Sequence, residues 1–313
     1  MQDVLCFNID GQSTAGRPLA RRWNVQGFPT LVFLNPDGSI RERVPGYLAP
    51  DTFKATVQRV RRDEGTVGDL ARRVTKEPEN ADARYALAQK LLECGDAERA
   101  QAEMAAIKKL DPEGKSLAAH QIALGEIMGR INAGWQRTQS LDMAELLAFL
   151  AKETHSAILF DGWGRVANMR SHLANEAATR GDTEGARKLQ GEVCDAMKIV
   201  WKHCPEANKA GLGFAVAGEF WKARDAISTE DKAFALEVAR EAQRLATRAT
   251  PEGLAMLASC LYMNGEKQAA IETLERSIEI AQKATDSESD AWRKRESQQL
   301  VDELERRLEE WRS

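Results

Sequence analysis

The fold is decided by the stretch Val25-Gln26-Gly27-Phe28-Pro29-Thr30-Leu31-Val32-Phe33-Leu34, which continues into Asn35-Pro36-Asp37-Gly38. The apolar residues of the first run predict a buried strand. The second run predicts a hairpin turn, because proline fixes φ and glycine accepts the positive φ that tight turns need. Proline has no backbone N–H and normally stands at the first residue of a strand or on an edge strand. Pro29 is therefore predicted to open the strand.

Short elements on both sides of this strand complete an alternating pattern. Residues 4–10 predict a short apolar strand, and residues 17–23 predict a short helix. Residues 39–44 predict a second strand of the hairpin, rich in arginine and apolar at alternate positions, which is typical of an edge strand. Pro50 predicts the start of a further helix, because proline is favoured in the first turn.

This order of strands and helices resembles the second half of a thioredoxin domain, over about residues 4–62. In that family the strand after the third helix opens with glycine, an apolar residue, proline and threonine, and this chain has Gly27-Phe28-Pro29-Thr30 there. The resemblance implies a cis Phe28–Pro29 bond and a loop that would face a redox Cys-x-x-Cys. The chain contains no Cys-x-x-Cys, so no catalytic residue is predicted.

The resemblance also implies two strands and an active-site helix upstream of Met1. One of these strands would lie between the strand at residues 4–10 and the strand that Pro29 opens. Without it, the backbone groups of both strands would lack partners. Either the natural start lies elsewhere, or a partner chain fills the gap, or the half-sheet closes on itself. We expect the first of these, an N-terminally truncated or mis-started gene product.

From Thr66 onward the apolar residues recur with the 3.6-residue period of helices. One such run has Leu87, Ala88, Leu91, Gly95, Ala100 and Pro112. Its small alanines allow two helices to approach closely, and its glycine allows the turn between them. This spacing resembles the tetratricopeptide repeat, with Arg84 in place of the usual aromatic residue. A second match has Leu254, Leu257, Ala258, Leu261, Gly265, Ala270, Leu274 and Ser277.

The predicted fold class is an α+β partial thioredoxin fold followed by an all-α tetratricopeptide-like solenoid. The predicted domains are residues 1–64 and residues 65–313, the second with about four helical hairpins. Long helices are predicted after Gly181 and over residues 229–250. A solenoid needs a polar-backed terminal helix to end in water. The predicted capping helix carries one apolar stripe: Trp292, Leu300, Val301, Leu304, Leu308 and Trp311.

Composition excludes several classes of protein. Charged residues make up 29% of the 313 residues and the net charge is −4, so nucleic acid is not a predicted partner. No apolar run reaches the length of a membrane span, and Met1-Gln2-Asp3 lacks the basic segment of a signal peptide. We expect a soluble protein of the cytoplasm or the bacterial cell envelope, and the sequence decides neither the compartment nor the oligomeric state.

Cysteine and histidine are scattered, which argues against metal or nucleophile chemistry. The five cysteines are odd in number and mostly on apolar helical faces, so they are predicted to be small buried thiols. His203-Cys204 lies near Cys194, but the spacing fits no zinc pattern. Gly211-Leu212-Gly213 lies within a helical pattern with no strand before it, so a phosphate loop is not predicted. No metal and no cofactor are predicted.

Tetratricopeptide arrays that clamp C-terminal carboxylates carry Lys, Arg and Asn on the inner helix faces of their repeats, and the clamp is predicted to be absent here. The residues at the matching places are Asp82, Tyr85, Gln89 and Leu92 in the first match, and Glu252, Ala255, Ser259 and Tyr262 in the second. The remaining candidate is a substrate-binding site at Phe28, Pro29 and Thr30. There an extended client could pair with the residue before the proline, or the turn merely holds the sheet.

Three functions fit this sequence. We expect a thioredoxin–tetratricopeptide protein of the redox-linked chaperone or scaffold kind, which binds unfolded client or partner polypeptides. The alternative is a thiol–disulfide oxidoreductase in cell redox homeostasis, whose Cys-x-x-Cys lies in a missing N-terminal part, since exchange needs an attacking thiolate. The third is a purely structural interaction module. The predicted partners are proteins or peptides.

Overall fold

The hairpin at the start of the chain is present in the computed structural model, which describes residues 5–288 and 290–313. Its strands, β1 (Thr30–Leu34) and β2 (Ile40–Pro45), pair antiparallel. The turn closes where Gly38, at φ +82°, donates its N–H to the carbonyl of Asn35 at 2.9 Å. Glycine is suited to this position because it adopts positive φ without steric cost. The predicted hairpin is confirmed.

The strand predicted at residues 4–10 is wrong for the residues that are described. Residues 5–10 form no strand, and the side chains of Leu5 and Phe7 are 86% and 80% exposed. Val4 lies outside the described residues. A strand is stabilised by pairing with a neighbour, and the sheet in the described part of the chain contains only β1 and β2. The apolar alternation of this segment therefore has no ladder to join.

The chain divides into two compact units, Met1–Glu126 and Ile127–Ser313. The boundary that the sequence predicts after residue 64 stays a prediction. Within the first unit, α3 packs against β2 and α4 packs against α5 as a helical hairpin. The helices of this unit are α1 (Gly16–Arg22), α2 (Pro50–Arg61), α3 (Val67–Lys76), α4 (Ala81–Glu93) and α5 (Ala97–Leu110).

Local signals set the ends of these helices. The Thr66 hydroxyl accepts the N–H of Asp69 at 3.3 Å and caps α3. Gly95, at φ +84°, forms the turn between α4 and α5. Arg84, which replaces the usual aromatic residue, bridges the same hairpin through Glu103 at 2.6 Å. An ion pair therefore takes the place of an aromatic contact in this repeat.

The second unit is built from further helical hairpins. α8 packs against α9, α10 against α11, and α12 against α13. α6 (Leu117–Thr138) contains the division between the two units. The helices that follow it are α7 (Ala144–Leu150), α8 (Ser156–Thr179), α9 (Thr183–His203), α10 (Glu206–Lys222), α11 (Thr229–Leu245), α12 (Pro251–Met263), α13 (Lys267–Ser287) and α14 (Ala291–Arg312).

Of the two helices predicted to be long, one is as long as predicted and the other ends earlier. The helix after Gly181 is long, as predicted, with 21 residues in α9. The helix predicted over residues 229–250 ends at Leu245 in the structure. Thr250 is extended, at φ −111° and ψ 152°. The residue before a proline is disfavoured in the α region, so the chain leaves the helix before Pro251.

The core of the second unit joins α10 to α14. Phe220 and Leu274 are fully buried in one cluster with Leu304 of the terminal helix. α10 and α11 approach closely at Gly213, where an added Cβ would lie 2.6 Å from the Cβ of Ala242. Gly213 therefore serves helix packing, whereas Gly211 is exposed and no atom lies within 4 Å of an added Cβ there.

The terminal helix α14 buries most of its predicted stripe. Val301, Leu304, Leu308 and Trp311 are buried, whereas Trp292 is 67% exposed. Trp292 belongs to the predicted stripe but lies in the first turn of α14, where its side chain is exposed. None of the helices in the described part of the chain combines the length and apolarity that a membrane crossing requires.

Candidate functional site

The three predicted site residues lie together where the chain enters β1. The Phe28–Pro29 peptide bond is cis. The Phe28 side chain is 57% exposed, and Pro29 is exposed beside it. The Thr30 hydroxyl donates to the carbonyl of Gly27 at 2.6 Å, and the Pro29 carbonyl accepts the N–H of Gly46 at 2.8 Å. The turn is thus held from within while the aromatic side chain faces outward.

One edge of β1 is open. β1 pairs with β2 on one side, and no other strand of the described sheet lies on its other side. Within residues 5–288 and 290–313, the backbone N–H and C=O of Phe28 form no hydrogen bond. An open strand edge can accept an added strand from another polypeptide. The entry to β1 therefore offers both backbone groups and an apolar side chain.

A buried ion cluster supports the hairpin from the other strand. Glu42 of β2 is 1% exposed and accepts Arg59 Nη2 at 2.8 Å and Lys90 Nζ at 3.1 Å. Burial of the Lys90 ammonium acts to lower its pKa, but the hydrogen bond to Glu93 and the charge of Glu42 outweigh it. The pKa of Lys90 is therefore raised. The cluster ties β2 to α2 and α4.

Sequence models of two families match this chain. The thioredoxin-like domain matches residues 2–61, and the tetratricopeptide repeat matches residues 69–122. The chain joins a thioredoxin-like domain to a tetratricopeptide repeat. The predicted fold class is thereby confirmed, and both kinds of domain indicate protein–protein interaction.

The comparisons with solved structures and curated proteins add no information on function beyond these two matches. A crystal structure of the yeast protein Tom70 is similar at 10% sequence identity, with a TM-score of 0.23. The similarity covers 83% of this chain and 61% of that chain. This chain thus spans less than two thirds of the length of that solved structure. No curated protein matches this sequence.

The thiols of this chain are mostly buried, as predicted. Cys94, Cys194, Cys204 and Cys260 are buried and Cys6 is exposed. Burial raises the pKa of Cys94 to about 11 and that of Cys194 and Cys260 to about 12, and it also raises the pKa of Cys204. A thiol reacts as its thiolate. Four of the five side chains are therefore poor nucleophiles at neutral pH.

We expect the native protein to present one reactive thiol at pH 8. Cys6 should react with Ellman's reagent within minutes, because it is exposed, whereas the other four should react only after unfolding. Titration in buffer should give one thiol per chain, and titration in guanidinium chloride should give all five. In Cys6→Ser the fast phase should disappear. A second thiol that reacts in the native protein as fast as Cys6 would contradict this assignment.

The inner face of the second repeat match makes contacts that sequence reasoning missed. Ser259 is fully buried and its hydroxyl accepts Arg307 Nη1 at 3.1 Å. The ring of Tyr262 stacks on that of Trp311, with centroids 4.4 Å apart and planes 10° apart. Two of the places where a carboxylate clamp would lie are thus engaged by α14. The signal in the sequence was Trp311 on the predicted stripe, since a tryptophan there needs a partner.

Proposed function

We propose that this protein binds extended segments of client or partner polypeptides at the entry to β1, as a chaperone-type interaction protein. Phe28, Pro29 and Thr30 form the binding residues. The observation that carries the proposal is the exposed Phe28, whose backbone groups form no hydrogen bond within the described residues, beside an edge of β1 that no described strand pairs with.

The bound segment would pair with the chain as an added strand. Its backbone would hydrogen-bond to the N–H and C=O of Phe28 and continue along the open edge of β1. Main-chain hydrogen bonds supply affinity in this mode without a fixed sequence. Such tolerance suits a protein that receives many unfolded clients.

Exposed apolar side chains would add hydrophobic contact where the bound segment reaches them. Leu34 at the far end of β1 is 39% exposed, and Leu5 and Phe7 are exposed in the segment that precedes α1. Large exposed apolar groups are a common mark of interaction sites. Binding at this edge requires no thiol, so it does not depend on a Cys-x-x-Cys.

Phe28→Ser is expected to weaken suppression of client aggregation by about tenfold, because it removes part of the roughly 2 kcal/mol that burying a phenylalanine contributes. Citrate synthase denatured in guanidinium chloride would be diluted into buffer with increasing amounts of this protein, and light scattering would be followed. The wild type should suppress scattering in a dose-dependent way. The variant should need about ten times the concentration for the same effect.

Trp292→Ser is the matched control. It removes an exposed aromatic side chain of similar exposure, 67%, from the start of α14, far along the chain from β1. Its suppression should equal that of the wild type. Equal loss in both variants, or no suppression by the wild type at excess, would refute the proposal. Hydrogen exchange with bound client should slow at the amide of Phe28 and along β1.

A further inference from the structure

A pocket in the second unit lies at the C-terminal ends of three helices. Its volume is about 430 Å³, which is within the range of ligand sites. Trp221 of α10, Tyr262 of α12 and Trp311 of α14 form its aromatic wall. Trp311 is the buried centre of this wall, since Tyr262 stacks on it and Trp221 meets it at 70° with centroids 6.4 Å apart.

Three arginines surround the aromatic wall, and two of them are held in place. Arg307 pairs with Glu303 at 3.0 Å and donates to the buried Ser259 hydroxyl. The Arg224 guanidinium lies 4.6 Å from the centre of the Trp221 ring and donates to the Trp221 carbonyl at 3.0 Å. These contacts fix both side chains without enclosing the Arg224 guanidinium in an ion pair.

The third arginine of the lining is Arg306. Arg306 lines the same pocket and is exposed, and within the described ranges no carboxylate pairs with it. Of the two glutamates in the lining, Glu303 already pairs with Arg307. With three arginines and two glutamates, the lining carries an excess of one positive charge beside apolar rings.

We propose that this pocket binds an acidic side chain of a partner polypeptide next to a large apolar side chain. The apolar side chain would pack on the half-buried rings of Trp221 and Tyr262. The carboxylate would meet the guanidinium groups of Arg306 and Arg224, and charge-assisted hydrogen bonds of this kind are among the stronger ones. The site is separate from the entry to β1 and does not rest on the function proposed above.

The test uses the full chain and two labelled peptides. One is a fluorescein-labelled decapeptide in which phenylalanine and glutamate alternate between glycines, and the other has lysine in place of each glutamate. Fluorescence anisotropy should show saturable binding of the acidic peptide, with lower affinity at higher salt because the charges are exposed. The lysine peptide should not bind. Equal binding of both peptides, or no saturation by the acidic peptide up to millimolar protein, would overturn the proposal.

Arg306→Glu should weaken binding of the acidic peptide by about tenfold, because it reverses the unpaired charge at the pocket. Lys294→Glu makes the same change of charge at an exposed residue in the first turns of α14, outside the pocket, and should leave the affinity unchanged. Equal weakening by both substitutions would show a general charge effect and would count against the site. Phe28→Ser should leave this binding intact, so failure here is distinguishable from failure at β1.

Discussion

Glu42→Gln is expected to lower the free energy of unfolding by about 2–3 kcal/mol. The substitution keeps the shape of the side chain but removes the one negative charge that Arg59 and Lys90 share at a position 1% exposed. This loss of stability is smaller than the loss expected when one partner of a fully buried ion pair is removed, because the Arg59 side chain is 35% exposed and can turn toward water. Urea unfolding followed by circular dichroism measures it.

Glu93→Gln is the matched control for this prediction. It removes the other carboxylate of Lys90, which lies at 2.6 Å but is 57% exposed, so the loss should be far smaller. Adding Lys90→Met to Glu42→Gln should restore part of the stability, because no ammonium is then left facing the amide. If Glu93→Gln costs as much as Glu42→Gln, the burial of Glu42 is not what makes the cluster important.

The loss of stability in Glu42→Gln should depend on pH in the alkaline range. The pKa of Lys90 is raised, so its contribution to stability is fully present below its unfolded pKa of about 10.4. That contribution is lost as the pH rises through the raised folded value. The difference between wild type and Glu42→Gln should therefore hold at neutral pH and shrink in strongly alkaline buffer.

Phe220→Ala is expected to destabilise the second unit by about 3–5 kcal/mol. Phe220 is fully buried on α10 and its ring meets that of Phe234 of α11, with centroids 5.3 Å apart. Truncation to alanine removes the free energy gained by moving the ring from water into the core. It also leaves a cavity that the surrounding helices fill only in part. The urea midpoint of the transition should fall, with little change in its slope.

Phe53→Ala provides the comparison, since Phe53 lies on α2 and is 38% exposed. Its truncation should change the midpoint much less. Should Phe220→Ala prove no more costly than Phe53→Ala, the helices around Phe220 would have to collapse onto the space, contrary to the packing seen here. The two variants need to be compared at the same protein concentration.

Much of the fold could be predicted from local signals. Asn35-Pro36-Asp37-Gly38 encodes its turn because glycine accepts φ +82° at Gly38. Gly95 and Gly265 mark equivalent helix turns, at φ +84° and +81°. The positions of Phe28, Pro29 and Thr30 at the entry to β1 also followed from sequence, because proline is confined to strand starts and edges. That they bind a client remains our proposal.

The errors share a different origin. The apolar alternation at residues 4–10 is a true local preference, yet residues 5–10 form no strand, because a strand needs a neighbour and local sequence does not say whether one is present. Trp292 fits the helical stripe of α14 but lies in the first turn, where it is exposed. In both cases the local pattern is present in the sequence, but the described side chains remain exposed.

The sequence by itself determined the turns, the helical periods and the order of the two kinds of domain, since these depend on contacts within a few residues. Only the tertiary structure decided what meets across long separations. Glu42 lies 48 residues from Lys90, and Arg307 lies 48 residues from Ser259. From its sequence alone, a glutamate on an arginine-rich strand could equally well face water. Its burial depends on the packing of α2 and α4 around it. The pocket of aromatic rings and arginines forms for the same reason, because its residues come from α10, α12 and α14, which are far apart in the sequence.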